Sequence, residues 1–472
     1  MKQLPTGFLA SLEGIEGFDA AALARVHADG AQLTSIRLNP AKFSAAQASA
    51  KDNSFFAREG AGAVLADAVP WAHPAFYLDR RPSFTFDPFF HAGCYYVQEA
   101  SSMFLEQALR QLADLSAPLR VLDLCAAPGG KSTHLQSLLS KESLLVSNEV
   151  IRARAGILTD NLMKWGAQNA VVTNNDPSSF ASLPGWFDVL VVDAPCSGSG
   201  LFRRDADAMD EWSLNNVQLC SQRQKRILAD ALPALKQDGL LVYSTCSYSR
   251  EEDEAIGDWL IASMDMEPLQ LQVPPEWNIV ESVSGNGAHG YRFYPDKVRG
   301  EGFFLACFRK KGSDGEPRYR PARPESATAR ERAILQPWLN EDLALLRDGD
   351  LFFALAPQQV EDYMVLQSVL RIVYRGVAVG RIMKERLVPE HALALSPLLS
   401  ADVAFTDLDY AEAIRYLQRA ELSVRPPERG WQRVRYGGHD LGWINALGNR
   451  VNNYYPKELR ILKQSNDAGF EK

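Results

Sequence analysis

Five short apolar runs punctuate the middle of this chain: LRVLDLC (119–125), SLLVSNEV (143–150), AVVTNND (170–176), FDVLVVDA (187–194) and GLLVYSTC (239–246). Each is rich in Val and Leu and bounded by turn residues, which is how a strand buried on both faces reads. Between them lie helix-patterned stretches at 131–140, 151–166 and 208–236, the last interrupted by Pro233. Strand then helix, repeated, requires a parallel sheet covered on both faces. A further helix at 250–264 and two aromatic-rich runs, 291–294 and 302–308, predict an antiparallel pair that closes the unit. The expected fold class is therefore α/β, with a mostly parallel seven-stranded sheet spanning residues 118–312.

At 472 residues the chain is too long for one core. The stretch KKGSDGEPRYRPARPES (310–326) is dense in Gly, Pro and charge and reads as a linker. Four regions are expected: an N-terminal α+β segment (1–117) with a helix at 20–29 and a strand at 35–39; the α/β unit (118–312); a linker and intermediate α+β region (313–390) with strand-like runs at 351–355, 369–374 and 377–382; and a β-rich C-terminal module (391–472). The first residues, MKQLPTGFLASLEGIEGF, break their apolar pattern with Pro5, Gly7, Glu13 and Glu16, and no run is long enough to span a bilayer. A cytoplasmic protein without a membrane partner is expected.

The chemistry is expected at the strand exits, where open α/β sheets bind ligands. The first strand runs into DLCAAPGGKSTH (123–134), whose Gly129 and Gly130 allow close backbone approach to a ligand at a helix N-terminus. Glu149, about 20 residues beyond the glycines, stands where an acidic residue binds ribose hydroxyls. Asp176 and Asp193 add carboxylates to the same edge. Cys196, in DAPCSGSG, and Cys246, in YSTCS, leave neighbouring strands, and strands lie about 4.8 Å apart, so both thiols can face one ligand. The six cysteines include no pair or His cluster at zinc spacing, so neither metal nor disulfide framework is expected.

Two thiols, a carboxylate and a nucleoside cofactor fit methyl transfer to carbon 5 of a pyrimidine. That carbon becomes nucleophilic only after a thiolate adds to carbon 6. A carboxyl group at Asp193 can bond the N3/N4 edge of cytosine, and a second thiol can help remove the carbon 5 proton.

The motifs DLCAAPGGKST, DAPCSGSG, RRDADAMDEW and YSTCS, with YYVQEASSM upstream, resemble the Nop/Sun family of RNA cytosine-5 methyltransferases. The whole length is similar to a bacterial branch that modifies small-subunit (16S) ribosomal RNA. The resemblance implies a Rossmann-like S-adenosylmethionine-dependent core, a PUA-like end around GWINALGNRVNNYYPKELR, and an N-terminal region carrying SIRLNP. It implies a cofactor site built from Cys125, Ala126, Ala127, Pro128, Gly129, Gly130, Lys131, Glu149, Asp176 and Asp193. It implies further that Cys246 is the nucleophile, that Cys196 assists product release, and that Lys131 and Asp193 reach the base. Rival readings are a transfer RNA or a DNA cytosine-5 methyltransferase and a non-catalytic RNA-binding ribosome-assembly factor. The two intact thiols argue against the last, and the two-cysteine pattern with RNA-type flanks against DNA.

A net charge of -8 gives no global attraction to RNA. Residues 421–463 carry eight Lys/Arg against four Asp/Glu. Arg433 and Arg435, two apart on a strand, share a face, and with Trp431, Tyr436, Trp443, Tyr454 and Tyr455 interleaved they are expected to grip phosphates and stack bases. The region around Arg37 is the alternative RNA contact. A monomer is expected.

Overall fold

A computed structural model describes residues 4–30, 32–43, 64–313, 315, 324–426, 428–448 and 450–463, so most of the expected linker lies outside the described residues. The central sheet contains the five expected parallel strands, β1 (Arg120–Asp123), β2 (Leu144–Asn148), β3 (Ala170–Thr173), β4 (Phe187–Asp193) and β5 (Leu235–Thr245). The expected antiparallel pair is β6 (His289–Phe293) and β7 (Phe303–Lys310). Order across the sheet runs β6, β7, β5, β4, β1, β2, β3, with β4 parallel to both β1 and β5.

The sheet has ten strands rather than seven. Met266–Leu269 pairs with β7 and Val280–Val283 with β6, and both were hidden by polar residues on short edge strands. The tenth, β8 (Ile372–Arg375), comes from the intermediate region and adds antiparallel to the far edge at β3. The run at 369–374 was expected as one strand; Val360–Val369 is instead a helix, and the strand begins at Ile372.

The helices that follow strands of this sheet include α1 (Gly130–Leu138), α2 (Arg152–Trp165), α3 (Leu214–Ala231) and α4 (Glu254–Ser263). The expected helix at 208–236 is broken, because Ser213 accepts a hydrogen bond from the Asn216 amide and starts α3 afresh after Ala206–Glu211. Buried Leu, Val and Phe side chains of β1, β2, β4 and β5 fill the core on both sheet faces.

The SIRL segment (Ser35–Leu38) sits in a four-stranded N-terminal sheet. Its arginine is no surface contact: Arg37 is 1% exposed. Its guanidinium donates to Gln98, Ser137, Thr133 and the Gly130 carbonyl and lies over Trp165. Asn39 and Lys42 donate to the carbonyls of Trp165 and Lys164. The motif thus docks the N-terminal sheet onto the C-terminal end of α2 and the first turns of α1.

A five-stranded sheet spans 325–389, and a four-stranded sheet includes Gly430–Tyr436 and His439–Ala446. The C-terminal module shares one apolar core with the N-terminal sheet: Ile36, Leu38 and Phe76 pack in the cluster that holds Tyr416, Val434 and Ile444.

Candidate active site

At the carboxyl ends of β1 to β5 lies a cavity of about 600 Å³ lined by Cys125, Ala127, Glu149, Asp176, Asp193, Cys196 and Cys246, among others. A larger groove of about 800 Å³ elsewhere is lined by glutamines, Trp277 and apolar residues, with no titratable group.

The loop after β1 is fixed through its backbone groups by β2 and α2. The Ala126 amide donates to the Asn148 carbonyl, while Arg154 and Asn161 on α2 donate to the carbonyls of Ala127 and Pro128. Gly129 takes a left-handed φ of 117° at the cap of α1, where a side chain would be strained, and a Cβ at Gly130 would press on Tyr96. Lys131, in the first turn of α1, pairs with the Asp193 carboxylate at 2.8 Å, and Ser244 donates to the other Asp193 oxygen at 2.8 Å.

Glu149 is buried, accepts the Ile151 amide at 2.8 Å and lies 3.5 Å from Arg154. Asp176 is exposed and caps Pro177–Ser182, and its bonds from Ser178 hold its carboxyl below the usual range. Cys94, Cys220 and Cys307 are buried core residues away from the cavity.

Of the three thiols that line the cavity, Cys125, Cys196 and Cys246, the last two meet. Cys196 Sγ and Cys246 Sγ are 2.8 Å apart at the exits of β4 and β5. The hydrogen bond to Cys246, with burial, pushes the Cys196 thiol well up. The Ser/Gly run beside Cys196 serves close packing of the two loops: the Gly200 amide donates to the Cys246 carbonyl at 2.8 Å, and a Cβ at Gly200 would stand 2.9 Å from that oxygen and nearer still to Gly302.

Two buried residues behind the cavity wall were not singled out as individual candidates in the sequence. Asp123, the last residue of β1, is 0% exposed, and burial pushes its carboxyl up to about 7. Ser132 donates to one of its oxygens and the other, Oδ1, has no partner. Its signal was its place at the head of the glycine turn. The second is Glu252, whose carboxylate is buried behind both thiol loops; it sits in a run of acids, EEDE, that reads as a solvated helix start.

An S-adenosylmethionine-sized cation fits these donors and acceptors. The Glu149 carboxylate on the cavity wall offers an acceptor, and the Gly129–Gly130 turn leaves room for close backbone approach at the head of α1.

Residues 112–309 match the family described as 16S rRNA methyltransferase RsmB/F, residues 4–100 the N-terminal domain of 16S rRNA methyltransferase RsmF, and residues 404–461 the RsmF PUA domain. The chain is 31% identical over 451 residues to ribosomal RNA small subunit methyltransferase F of Aeromonas hydrophila, covering 90% of both chains. The chain belongs to the RsmB/F methyltransferase family. It is also 31% identical to the methyltransferase F of Vibrio cholerae over 90% of each chain. Among solved structures, a methyltransferase homolog from Pyrococcus horikoshii is 30% identical with a TM-score of 0.51, over 64% of this chain and 93% of that one. NSun6 from Pyrococcus horikoshii, solved with the S-adenosylmethionine analogue SFG, shares the fold with a TM-score of 0.54 at 19% identity, over 66% of this chain and 99% of that one. As an RsmB/F member the protein is an S-adenosylmethionine-dependent methyltransferase with a Rossmann-like core and a PUA module. No helix among the described residues is long and apolar enough to cross a membrane.

Proposed function

We propose that this RsmB/F protein methylates carbon 5 of a cytosine in small-subunit ribosomal RNA through a covalent adduct on Cys246. The observation that carries the reading is the pair of thiols 2.8 Å apart at the mouth of a cavity that also holds Asp193. Cys246, its proton lost to solvent, adds to carbon 6 of the cytosine, and the ring electron pair moves to carbon 5. S-adenosylmethionine, when bound, supplies the electrophilic methyl group. Asp193, steadied by Lys131 and Ser244, bonds the N3/N4 edge of the base.

The thiol pairing also supports the second half of the reaction. Cys196 is pushed up first by its bond to Cys246. Once Cys246 sulfur is bonded to carbon 6 that partner is spent, and Cys196 can release its proton to solvent. Its thiolate then takes the proton from carbon 5, the carbon 5–carbon 6 double bond reforms, and the bond to Cys246 breaks to return the thiolate. In this reading Glu149 would hold the cofactor ribose, and Asp176 with residues 125–131 would line the rest of its site.

We place the enzyme in the cytoplasm as a monomer with an RNA partner. The RNA-facing arginines proposed from sequence need correcting. Arg433 is spent on the Val403 and Ala401 carbonyls and Asp440, and Arg435 on both oxygens of Asp407. Trp443 and Tyr455 are core residues. Arg425, Arg429 and Arg450 instead stand exposed around a groove of about 620 Å³ on the C-terminal module, with no ion pair among the described residues. These three suit phosphate contacts. Bisulfite sequencing of total RNA from a deletion strain tests the substrate: a cytosine in 16S RNA that loses protection and regains it with the wild-type gene is expected, and a site confined to transfer RNA would overturn the ribosomal assignment.

A further inference from the structure

Both thiols of the candidate site sit on loops, and loops hold reactive groups loosely unless something buried ties them down. Here the tie is one carboxylate. Glu252 follows β5 by seven residues, at the foot of α4, and is 0% exposed. Its Oε1 accepts the Ser197 amide at 2.8 Å and the Gln224 side-chain amide at 3.0 Å. Its Oε2 accepts the Ser197 hydroxyl at 2.5 Å and the Ser247 hydroxyl at 2.7 Å. Ser197 is the residue after Cys196, and Ser247 the residue after Cys246. Gln224, on α3, also donates to the Pro195 carbonyl at 3.1 Å, on the other side of Cys196.

Four donors fill the acceptor capacity of one carboxylate, and no cation pairs with Glu252 among the described residues. A buried carboxylate held only by neutral donors costs more in desolvation than a packed apolar side chain would. The local fold does not depend on it alone, because β4 and β5 are already paired through Asp193 and Ser244, and the Tyr248 amide bonds Ser199. What Glu252 adds is a shared anchor one residue beyond each sulfur.

We infer that Glu252 is a positioning residue that sets the separation and aim of the Cys196 and Cys246 thiols by holding Ser197 and Ser247 on one carboxylate. It touches neither substrate nor cofactor and acts through the two serines. The same placement makes its charge one of the smaller causes that push the Cys196 thiol up. The inference rests on the reading that both thiols take part in one reaction.

Two measurements on the full-length protein test it. Multiple-turnover methylation of 16S RNA should show kcat reduced at least tenfold in Glu252→Ala, with the KM for S-adenosylmethionine unchanged. Glu252→Gln keeps the side-chain length and two acceptor sites and should recover most of the loss. Ser197→Ala with Ser247→Ala leaves the carboxylate and removes two of its donors, and should fall between them. The second measurement, in a Cys196→Ala background, follows the covalent RNA adduct on denaturing gels, where Glu252→Ala should slow its appearance by a similar factor. An unchanged kcat in Glu252→Ala, or a loss in all three variants that tracks their melting temperatures with no recovery in Gln, overturns the inference. If Cys196→Ala traps no adduct while Glu252→Ala still lowers kcat alone, the thiol roles are wrong and the positioning role stands.

Discussion

Asp123 and Glu149 carry opposite lessons about single residues. Glu149 was legible as a carboxylate at ribose distance from a glycine turn, and it lines the cavity as expected. Glu149→Ala should weaken S-adenosylmethionine binding by about 1 to 3 kcal/mol, measured by calorimetry, because charge-assisted hydrogen bonds are lost; unchanged affinity would leave it only the role of bonding the Ile151 amide. Asp123 was not individually legible, since its burial and its orphaned oxygen exist only in three dimensions. Its folded pKa, about 7, lies above the unfolded carboxylate value of roughly 3.9. The native state therefore binds the extra proton, and the stability tied to it is present at low pH and lost as pH rises toward about 7 and beyond. The melting temperature of the wild-type protein minus that of Asp123→Asn should accordingly fall between pH 5 and 8. A difference independent of pH would show that Asp123 does not titrate there.

At the scale of elements, apolar periodicity identified the strands it could see. All five parallel strands and the β6–β7 pair lie on the expected runs, because a strand buried on both faces must be continuously apolar. Short edge strands such as Met266–Leu269 and Val280–Val283 are partly open to solvent and carry polar residues, so their sequences do not differ from those of loops. Helix ends depended on capping: Ser213 restarts α3 through a hydrogen bond that no hydrophobic pattern reveals. The thiol loops illustrate a constraint that sequence shows only as glycine. Gly200→Ala should destabilise the protein by about 1 to 3 kcal/mol, since its methyl group would press on the Cys246 and Gly302 carbonyls. Thermal unfolding with a parallel methylation assay checks this, and a variant with normal stability and activity would show that the two loops can yield.

For the whole molecule, the shared core of the N-terminal sheet and the C-terminal module changes how RNA binding must be probed. Deleting the module would uncover Ile36, Leu38 and Phe76, so a truncated chain would lose more than an RNA contact. Point substitutions avoid this. Arg425→Ala with Arg429→Ala and Arg450→Ala should lower the dependence of log K on log salt by roughly 0.7 per lost phosphate contact on single-stranded RNA, whereas Arg433→Ala with Arg435→Ala should leave that slope unchanged and reduce stability. Filter binding at several salt concentrations separates the two sets, and a slope that falls only in the second would return the RNA contact to the Arg433 face. The account as a whole rests on one thiol attacking RNA and the other freeing it. Its most direct test incubates wild-type, Cys196→Ala and Cys246→Ala proteins with 16S RNA and S-adenosylmethionine and resolves them on a denaturing gel. The account predicts a slow-migrating covalent RNA–protein band in Cys196→Ala alone, with methylation abolished in Cys246→Ala; a band in Cys246→Ala and none in Cys196→Ala would contradict it.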